Sequence, residues 1–117
     1  MAAQRDEAVK AEAAFRRSIQ CAHDSPDGAY PCYNLAGLLD DGPRRNEAIP
    51  LYLEAIRLKP KEPIYYNNLG WLYEKLGRQQ EALSLYDQAL IADPYYARAR
   101  KNAVDLRAKL HAAPKTP

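Results

Sequence analysis

Two consecutive stretches of this chain carry the same residue pattern at a constant offset. Residues 29–62 align on residues 63–96 without a gap. The aligned pairs are Asn34 and Asn68, Leu35 and Leu69, Ala48 and Ala82, Tyr52 and Tyr86, Ala55 and Ala89, and Pro60 and Pro94. A repeat this short cannot bury its own apolar face, so it must stack on copies of itself. We therefore predict a stacked array, an architecture that commonly presents a surface for holding another molecule.

The apolar residues follow the period of an α-helix, and no stretch alternates as a strand would. Turn formers such as Gly77 and Asp93-Pro94 separate the periodic segments. The predicted helices cover residues 3–22, 30–41, 46–58, 63–76, 79–91 and about 95–111. We expect an all-α chain of about six helices in antiparallel hairpins, forming one domain. Its parts would be a half-repeat helix (3–22), two repeats (29–62 and 63–96), a capping helix (97–111) and a tail (112–117).

Composition favours a soluble protein, with 47% hydrophobic and 27% charged residues. No apolar run approaches the roughly 20 residues of a membrane-spanning helix. The first residues mix charges with alanines and lack the apolar core of a secretory signal. These features predict a cytoplasmic location.

Charge is distributed unevenly along the chain. Residues 1–96 hold 11 Lys and Arg against 14 Asp and Glu, a net of −3. Residues 97–117 hold six Lys and Arg against one Asp, a net of +5. A basic end of this kind marks an interaction segment or a solvated terminal helix, whose last-turn cations suit the helix dipole.

The sequence gives little support to catalysis or to bound cofactors. No nucleophile motif surrounds any serine or either histidine, and no glycine-rich phosphate loop is present. Cys21, His23 and Cys32 fit no zinc spacing, and the cysteines suit buried core positions. The formal net charge of +2 lacks the footprint of a nucleic-acid-binding protein. We expect no enzyme, no cofactor, no metal and no nucleic-acid partner.

The chain resembles the tetratricopeptide repeat family, whose pattern is W-x2-L-G-x2-Y, then A-x3-F, and then a closing P. The second repeat carries it as Tyr66, Leu69, Gly70, Tyr73, Ala82, Tyr86 and Pro94. The first repeat is looser, with Cys32 in the Trp position and Ala36 in the Gly position. The resemblance implies a right-handed superhelical solenoid in which small residues let paired helices approach closely.

The resemblance also implies a concave groove that binds an extended peptide or a helix. In this family the second, fifth, sixth and ninth residues of each repeat line the groove. In this chain Gly37 and Ile64 occupy two of these positions, and the candidate peptide-binding residues occupy the others. The candidate peptide-binding residues are Tyr30, Tyr33, Asn34, Asn67, Asn68, Trp71, Arg98, Lys101, Asn102 and Asp105.

Asn34, Asn68 and Asn102 recur at the repeat period, so stacking would place them in one row. An asparagine amide both donates and accepts, which suits the backbone of a bound peptide. The alternative is that each amide bonds a neighbouring hairpin or loop. Arg98 and Lys101 would favour an acidic partner or a carboxylate.

Some family members clamp a C-terminal carboxylate, but this chain departs from that pattern. Tyr33 and Gly37 stand where the clamp has Lys and Asn, and Asn102 stands where it has Arg. Two further functions stay open. The chain could be an adaptor that self-associates through an end face such as residues 3–22, or an accessory segment of a larger enzyme or complex.

Overall fold

The computed structural model describes residues 26–112. By its internal contacts the chain divides into two compact units, Met1–Pro60 and Lys61–Pro117, called here the N-terminal and C-terminal units. The predicted helix at 3–22 and residues 113–117 of the predicted tail lie outside the described residues. The organisation into one domain with flanking half repeats therefore stays a prediction.

Five α-helices account for most of the described chain. The N-terminal unit contains α1 (Ala29–Leu39) and α2 (Ala48–Leu58), which follow short 3-10 turns at Pro26–Gly28 and Arg45–Glu47. The C-terminal unit contains α3 (Pro63–Lys75), α4 (Gln79–Ala92) and α5 (Ala97–Ala112). Residues 26–112 include no strand, which confirms the all-α prediction for this part of the chain. No helix in that range has the length and apolarity to cross a membrane.

The turn between α3 and α4 shows why the sequence ends a helix at Gly77. This glycine has φ of +81°, a left-handed conformation that disfavours other residues. The Gly77 N–H donates to the carbonyl of Glu74 at 3.0 Å, and the Arg78 N–H donates to that of Tyr73 at 2.8 Å. Together these bonds form a Schellman motif, which satisfies carbonyls at the end of α3.

Two predicted helix starts were wrong by two residues. Helix α2 begins at Ala48 and not at about Asn46, because residues 45–47 form a 3-10 turn. The last helix begins at Ala97, as in the predicted capping helix at 97–111, and not at about Tyr95, where the helical pattern starts. There the Asp93 carboxylate accepts the N–H of Tyr95 at 3.0 Å, which keeps this segment in a turn. Ala112, predicted as the first residue of the tail, is the last residue of α5.

Close packing of α3 against α4 depends on small residues and one buried tyrosine. Leu69, Gly70 and Ala82 are buried between these helices. A Cβ atom on Gly70 would lie 2.8 Å from Cε1 of Tyr86, so the tyrosine ring lies directly against the glycine. The packing role predicted for Gly70 and Ala82 is therefore observed, and Tyr86 fills space inside its own hairpin.

Each repeat also contains a buried tyrosine that donates to a carboxylate twelve residues earlier. Tyr52 donates to Asp40 in the N-terminal unit, and Tyr86 donates to Oε1 of Glu74 at 2.7 Å in the C-terminal unit. Lys109 of α5 lies 3.6 Å from the other oxygen of Glu74. Burial, and then the bond to Glu74, raise the pKa of Tyr86 far above its usual value.

Cys32 is fully buried in α1, as its position in the repeat predicts. Burial raises the pKa of its thiol to about 11, and the negative charge of Glu54 adds to the rise while Arg57 opposes it. Because the thiolate is the reactive form, this thiol is an inert part of the core at neutral pH.

Candidate functional site

Six of the predicted binding residues meet in one surface depression of the C-terminal unit, with a volume of about 240 Å³. Helices α3 and α5 supply three side chains each. The depression, called here the amide pocket, is lined by Asn67, Asn68, Trp71, Arg98, Lys101 and Asn102. Residues that lie far apart in the sequence therefore form one site.

A short relay of amide hydrogen bonds links the two helices in the amide pocket. Asn102 donates its Nδ2 to Oδ1 of Asn67 at 2.9 Å, and Asn67 donates its Nδ2 to Oδ1 of Asn68 at 3.3 Å. Asn67 is only 4% exposed, so this amide needs internal partners. Part of the asparagine set therefore serves contacts between helices, which is the alternative the sequence left open.

The predicted row of asparagines is seen only in part. Asn102 bonds Asn67 of the preceding repeat, and both it and Asn68 line the amide pocket. Asn34 belongs to the N-terminal unit. Its alignment with the other two asparagines stays a prediction.

Trp71 supplies the aromatic surface of the amide pocket. Its side chain is 48% exposed, so about half of its surface is open to a partner. The ammonium of Lys75 lies 3.7 Å from the centroid of its ring, a cation–π contact across one turn of α3. Trp71 thus combines an apolar surface with an adjacent positive charge.

Among the described residues, the lining of the amide pocket contains two cations, Arg98 and Lys101, and no carboxylate. Lys101 forms an ion pair with Asp105 of the same helix, with 2.9 Å between Nζ and Oδ2. Arg98 is exposed and has no hydrogen-bond or ion-pair partner among residues 26–112. Arg98 is therefore the cation that can most readily bind an incoming anion.

A second depression of about 320 Å³ lies on the same unit and was not predicted from the sequence. It is lined by Tyr95, Ala97, Arg100, Lys101, Val104 and Asp105. Asp105 therefore lies beside the amide pocket and not in its lining. Arg100 donates to the backbone carbonyl of Pro94 at 2.7 Å, so its charge is engaged at the start of α5.

The predicted residues of the N-terminal unit are Tyr30, Tyr33 and Asn34, and the two tyrosines form an aromatic cluster with Tyr52. The rings of Tyr30 and Tyr33 have centroids 5.9 Å apart, and those of Tyr33 and the buried Tyr52 are 6.2 Å apart. Tyr30 is 63% exposed, whereas Tyr33 and Asn34 are half-buried. Tyr33 thus contributes to packing, and Tyr30 offers the open aromatic surface of this unit.

Two side-chain contacts of the C-terminal unit were not predicted from the sequence, namely Lys75 over Trp71 and the hydrogen bond from Tyr86 to Glu74. Lys75 over Trp71 could have been found from its position one helical turn after the tryptophan. The Tyr86–Glu74 bond has a signal in the repeat, because Asp40 and Glu74 occupy aligned positions of the two repeats. Cys21 and His23, considered as metal ligands, lie outside the described residues. Within residues 26–112 no group of three metal-binding side chains occurs.

The sequence model of the tetratricopeptide repeat family matches residues 33–97, more than half of the chain. The chain belongs to this family. Its helical hairpins, the small residues at Gly70 and Ala82, and the buried Tyr86 are the structural expression of the family pattern. Tetratricopeptide repeats support the assignment of the chain as a protein-interaction module.

Three curated relatives show the range of proteins that carry similar repeats. The chain is 38% identical over 64 residues to the TPR repeat-containing thioredoxin TTL4 of Arabidopsis thaliana, covering 55% of the chain and 9% of that protein. It is 33% identical over 54 residues to the heat-shock cognate co-chaperone sgt12 of Aspergillus fumigatus, covering 46% of the chain and 16% of that protein. It is 30% identical over 97 residues to the photosystem I assembly protein Ycf3 of Rippkaea orientalis, covering 76% of the chain and 56% of that protein.

The chain therefore matches only about half of the length of the assembly protein and less than a fifth of the other two.

Proposed function

We propose that this chain is a non-enzymatic interaction module that binds an extended peptide or partner segment, with the amide pocket as a main contact. The observation that carries the proposal is the convergence of six predicted side chains in one open depression. Within it, exposed aromatic surface, amide groups and a guanidinium with no partner among residues 26–112 lie next to each other. These are the groups that bind a peptide backbone and an acidic side chain or terminus.

The comparisons support partners that are proteins. One relative is a co-chaperone and another is an assembly protein, as their names state. By analogy, we propose that this chain acts on other proteins through contacts and not through catalysis. The cytoplasmic location stays part of this proposal.

The charges of the amide pocket favour a partner with an acidic group. Arg98 has no acidic neighbour in the lining, and Lys75 adds a positive charge beside Trp71. A guanidinium can hold a carboxylate through two parallel hydrogen bonds. We therefore propose that a carboxylate of the partner binds at Arg98 while its backbone contacts the amides.

Replacing Arg98 by alanine is expected to weaken peptide binding at least about tenfold, because a hydrogen bond to a charged group contributes roughly 1.5–3 kcal/mol. Ligands for this measurement come from selecting a random twelve-residue display library with free C-termini against the unmodified protein. Fluorescence anisotropy of the enriched peptides then gives the dissociation constants. Arg107→Ala is the matched control, because Arg107 lies on the same helix, has the same charge and pairs with Asp87 at 2.8 Å.

The Arg107→Ala variant is expected to bind the peptides within about twofold of the unmodified protein, because Arg107 is not in the lining of the amide pocket and exposed ion pairs contribute little. Asn68→Ala tests the amide contribution, but it also removes the acceptor of the buried Asn67 Nδ2, so urea unfolding of this variant is measured alongside its binding. Removing the Asn102 amide would leave the buried oxygen of Asn67 without its donor, and that change would lower stability as well. Failure to enrich any peptide, or equal binding by the Arg98 and Arg107 variants, would contradict the proposal.

Self-association through residues 3–22 remains an alternative that the described residues do not address. The end face concerned lies outside them.

A further inference from the structure

We propose that Asp105 sets the charge selectivity of the amide pocket by offsetting the charge of Lys101, which lowers the affinity for a doubly charged phosphate more than the affinity for a singly charged carboxylate. This inference rests on the proposed function of the same pocket. It makes Asp105 a selectivity residue that acts through its neighbour and not a direct contact.

The geometry gives Lys101 two roles. It lines both the amide pocket and the second depression, whereas Asp105 lines only the second. Their ion pair of 2.9 Å spans one turn of α5, where residues four apart are neighbours. Asp105 therefore reaches Lys101 from outside the pocket and offsets its charge. The same hydrogen bond raises the pKa of Lys101, so the lysine stays charged.

The remaining cations near the pocket have other contacts. Lys75 lies over the Trp71 ring and is not in the lining, and Arg100 donates to the carbonyl of Pro94. Asp105 thus offsets one of the two cations in the lining, Arg98 and Lys101.

A phosphate ester carries about −1.5 to −2 at neutral pH. Because it carries up to twice the charge of a carboxylate, it loses up to about twice as much attraction when Asp105 offsets Lys101. Removing the Asp105 carboxylate would release Lys101 and raise the positive charge available. Because Lys101 and Asp105 are 76% and 56% exposed, solvent and salt screen the effect, and we expect a change of several-fold and not of many orders.

The test uses four capped or free peptides that differ in one group. Three have the sequence acetyl-Ala-Tyr-Xaa-Ala-amide, with glutamate, glutamine or phosphoserine as Xaa. The fourth is the glutamine peptide with a free C-terminal carboxylate, which separates a chain terminus from an acidic side chain. Binding to the full chain is followed by NMR titration into the millimolar range at low salt and pH 7.5, through the Trp71 indole and the Asn102 amide.

We expect the unmodified protein to bind the neutral peptide most weakly. Asp105→Asn should raise the affinity for the phosphoserine peptide about threefold to tenfold, and that for the carboxylate peptides about twofold to threefold. The ratio of phosphoserine affinity to carboxylate affinity should therefore rise.

Three variants show whether Asp105 acts through Lys101. Asp105→Glu keeps a carboxylate four residues from the lysine and should keep the original ratio of affinities. Asp87→Asn removes the same charge where it pairs with Arg107, and should also keep it. In a Lys101→Gln background, Asp105→Asn should give much less of its gain.

The possible failures can be told apart. If neither carboxylate peptide binds the unmodified protein, the proposed function of the pocket fails. If a carboxylate peptide binds but Asp105→Asn leaves its ratio to the phosphoserine peptide unchanged, only the selectivity role is overturned. An undiminished gain in the Lys101→Gln background would overturn it as well.

Discussion

Replacing Gly70 by valine is expected to destabilise the C-terminal unit by about 3 kcal/mol, because the helix pair has no room for a side chain there. A Cβ atom at this position would lie 2.8 Å from Cε1 of Tyr86 and 3.2 Å from the carbonyl oxygen of Ala82. The Tyr86 ring is fully buried and its hydroxyl is held by Glu74, so it cannot simply rotate away. The two helices would have to separate and lose contacts along their length.

Urea unfolding measures this effect, with circular dichroism for total helix and the fluorescence of the single tryptophan, Trp71, for the C-terminal unit. The matched control is Gly37→Val, since a Cβ atom at Gly37 meets nothing within 4 Å. Glycine and valine are both weak helix formers, so the control should change stability by roughly 0.5 kcal/mol or less. A Gly70→Val protein as stable as the control would show that the helices do not require this close approach.

Replacing Tyr86 by phenylalanine is expected to cost about 1.5–3 kcal/mol of unfolding free energy at neutral pH, the usual range for a hydrogen bond to a charged group. The substitution keeps the ring and removes only the hydroxyl that donates to Glu74 at 2.7 Å. Glu74 would retain Lys109, but at 3.6 Å that contact is a weaker partner. The same urea experiment gives the difference.

The stability difference between the two proteins should depend on pH. The pKa of Tyr86 is raised in the folded state, so below about pH 10 the hydroxyl is protonated whether the chain is folded or not. Above pH 10 the unfolded chain releases this proton and the folded chain keeps it. The unfolded state then binds fewer protons, and stability falls by up to about 1.4 kcal/mol per pH unit.

Other tyrosines and the lysines also titrate in this range, so the variant provides the comparison. Tyr86→Phe lacks this proton, and its disadvantage should shrink as the pH rises from 9.5 to 11.5. Tyr95→Phe is the control, because Tyr95 is 87% exposed and should leave both stability and its pH dependence unchanged. A constant difference between wild type and Tyr86→Phe would contradict the assigned pKa shift.

The helices of this chain were predictable because their signals are local. Apolar spacing, Gly77 and the prolines placed α3 and α4 within one residue of their observed ends. The two starts that were wrong, at Ala48 and Ala97, are places where short-range hydrogen bonds hold a turn. Such competition depends on the geometry of a few backbone groups, which helical periodicity does not report.

The candidate site was predictable as a set of residues but not as a set of contacts. The repeat predicted that Asn67, Trp71 and Asn102 lie on one surface, and the structure places them in one pocket. The sequence did not indicate that Asn67 would be buried and would accept a hydrogen bond from Asn102. That Asn67 contacts a bound peptide stays a prediction, whereas its hydrogen bonds to Asn68 and Asn102 are observed.

By itself, the sequence determined the helical class and the small residues needed where helices approach closely, and it predicted the repeat boundaries at 29–62 and 63–96. These properties follow from periodicity and side-chain size, which the sequence states directly. Only the tertiary structure decided that Asn102 is tied to Asn67, that Tyr86 and Lys109 share Glu74, and that Arg98 has no partner among the described residues. Hydrogen bonds and ion pairs depend on distances of a few ångströms between separate helices, and those distances exist only once the helices have packed.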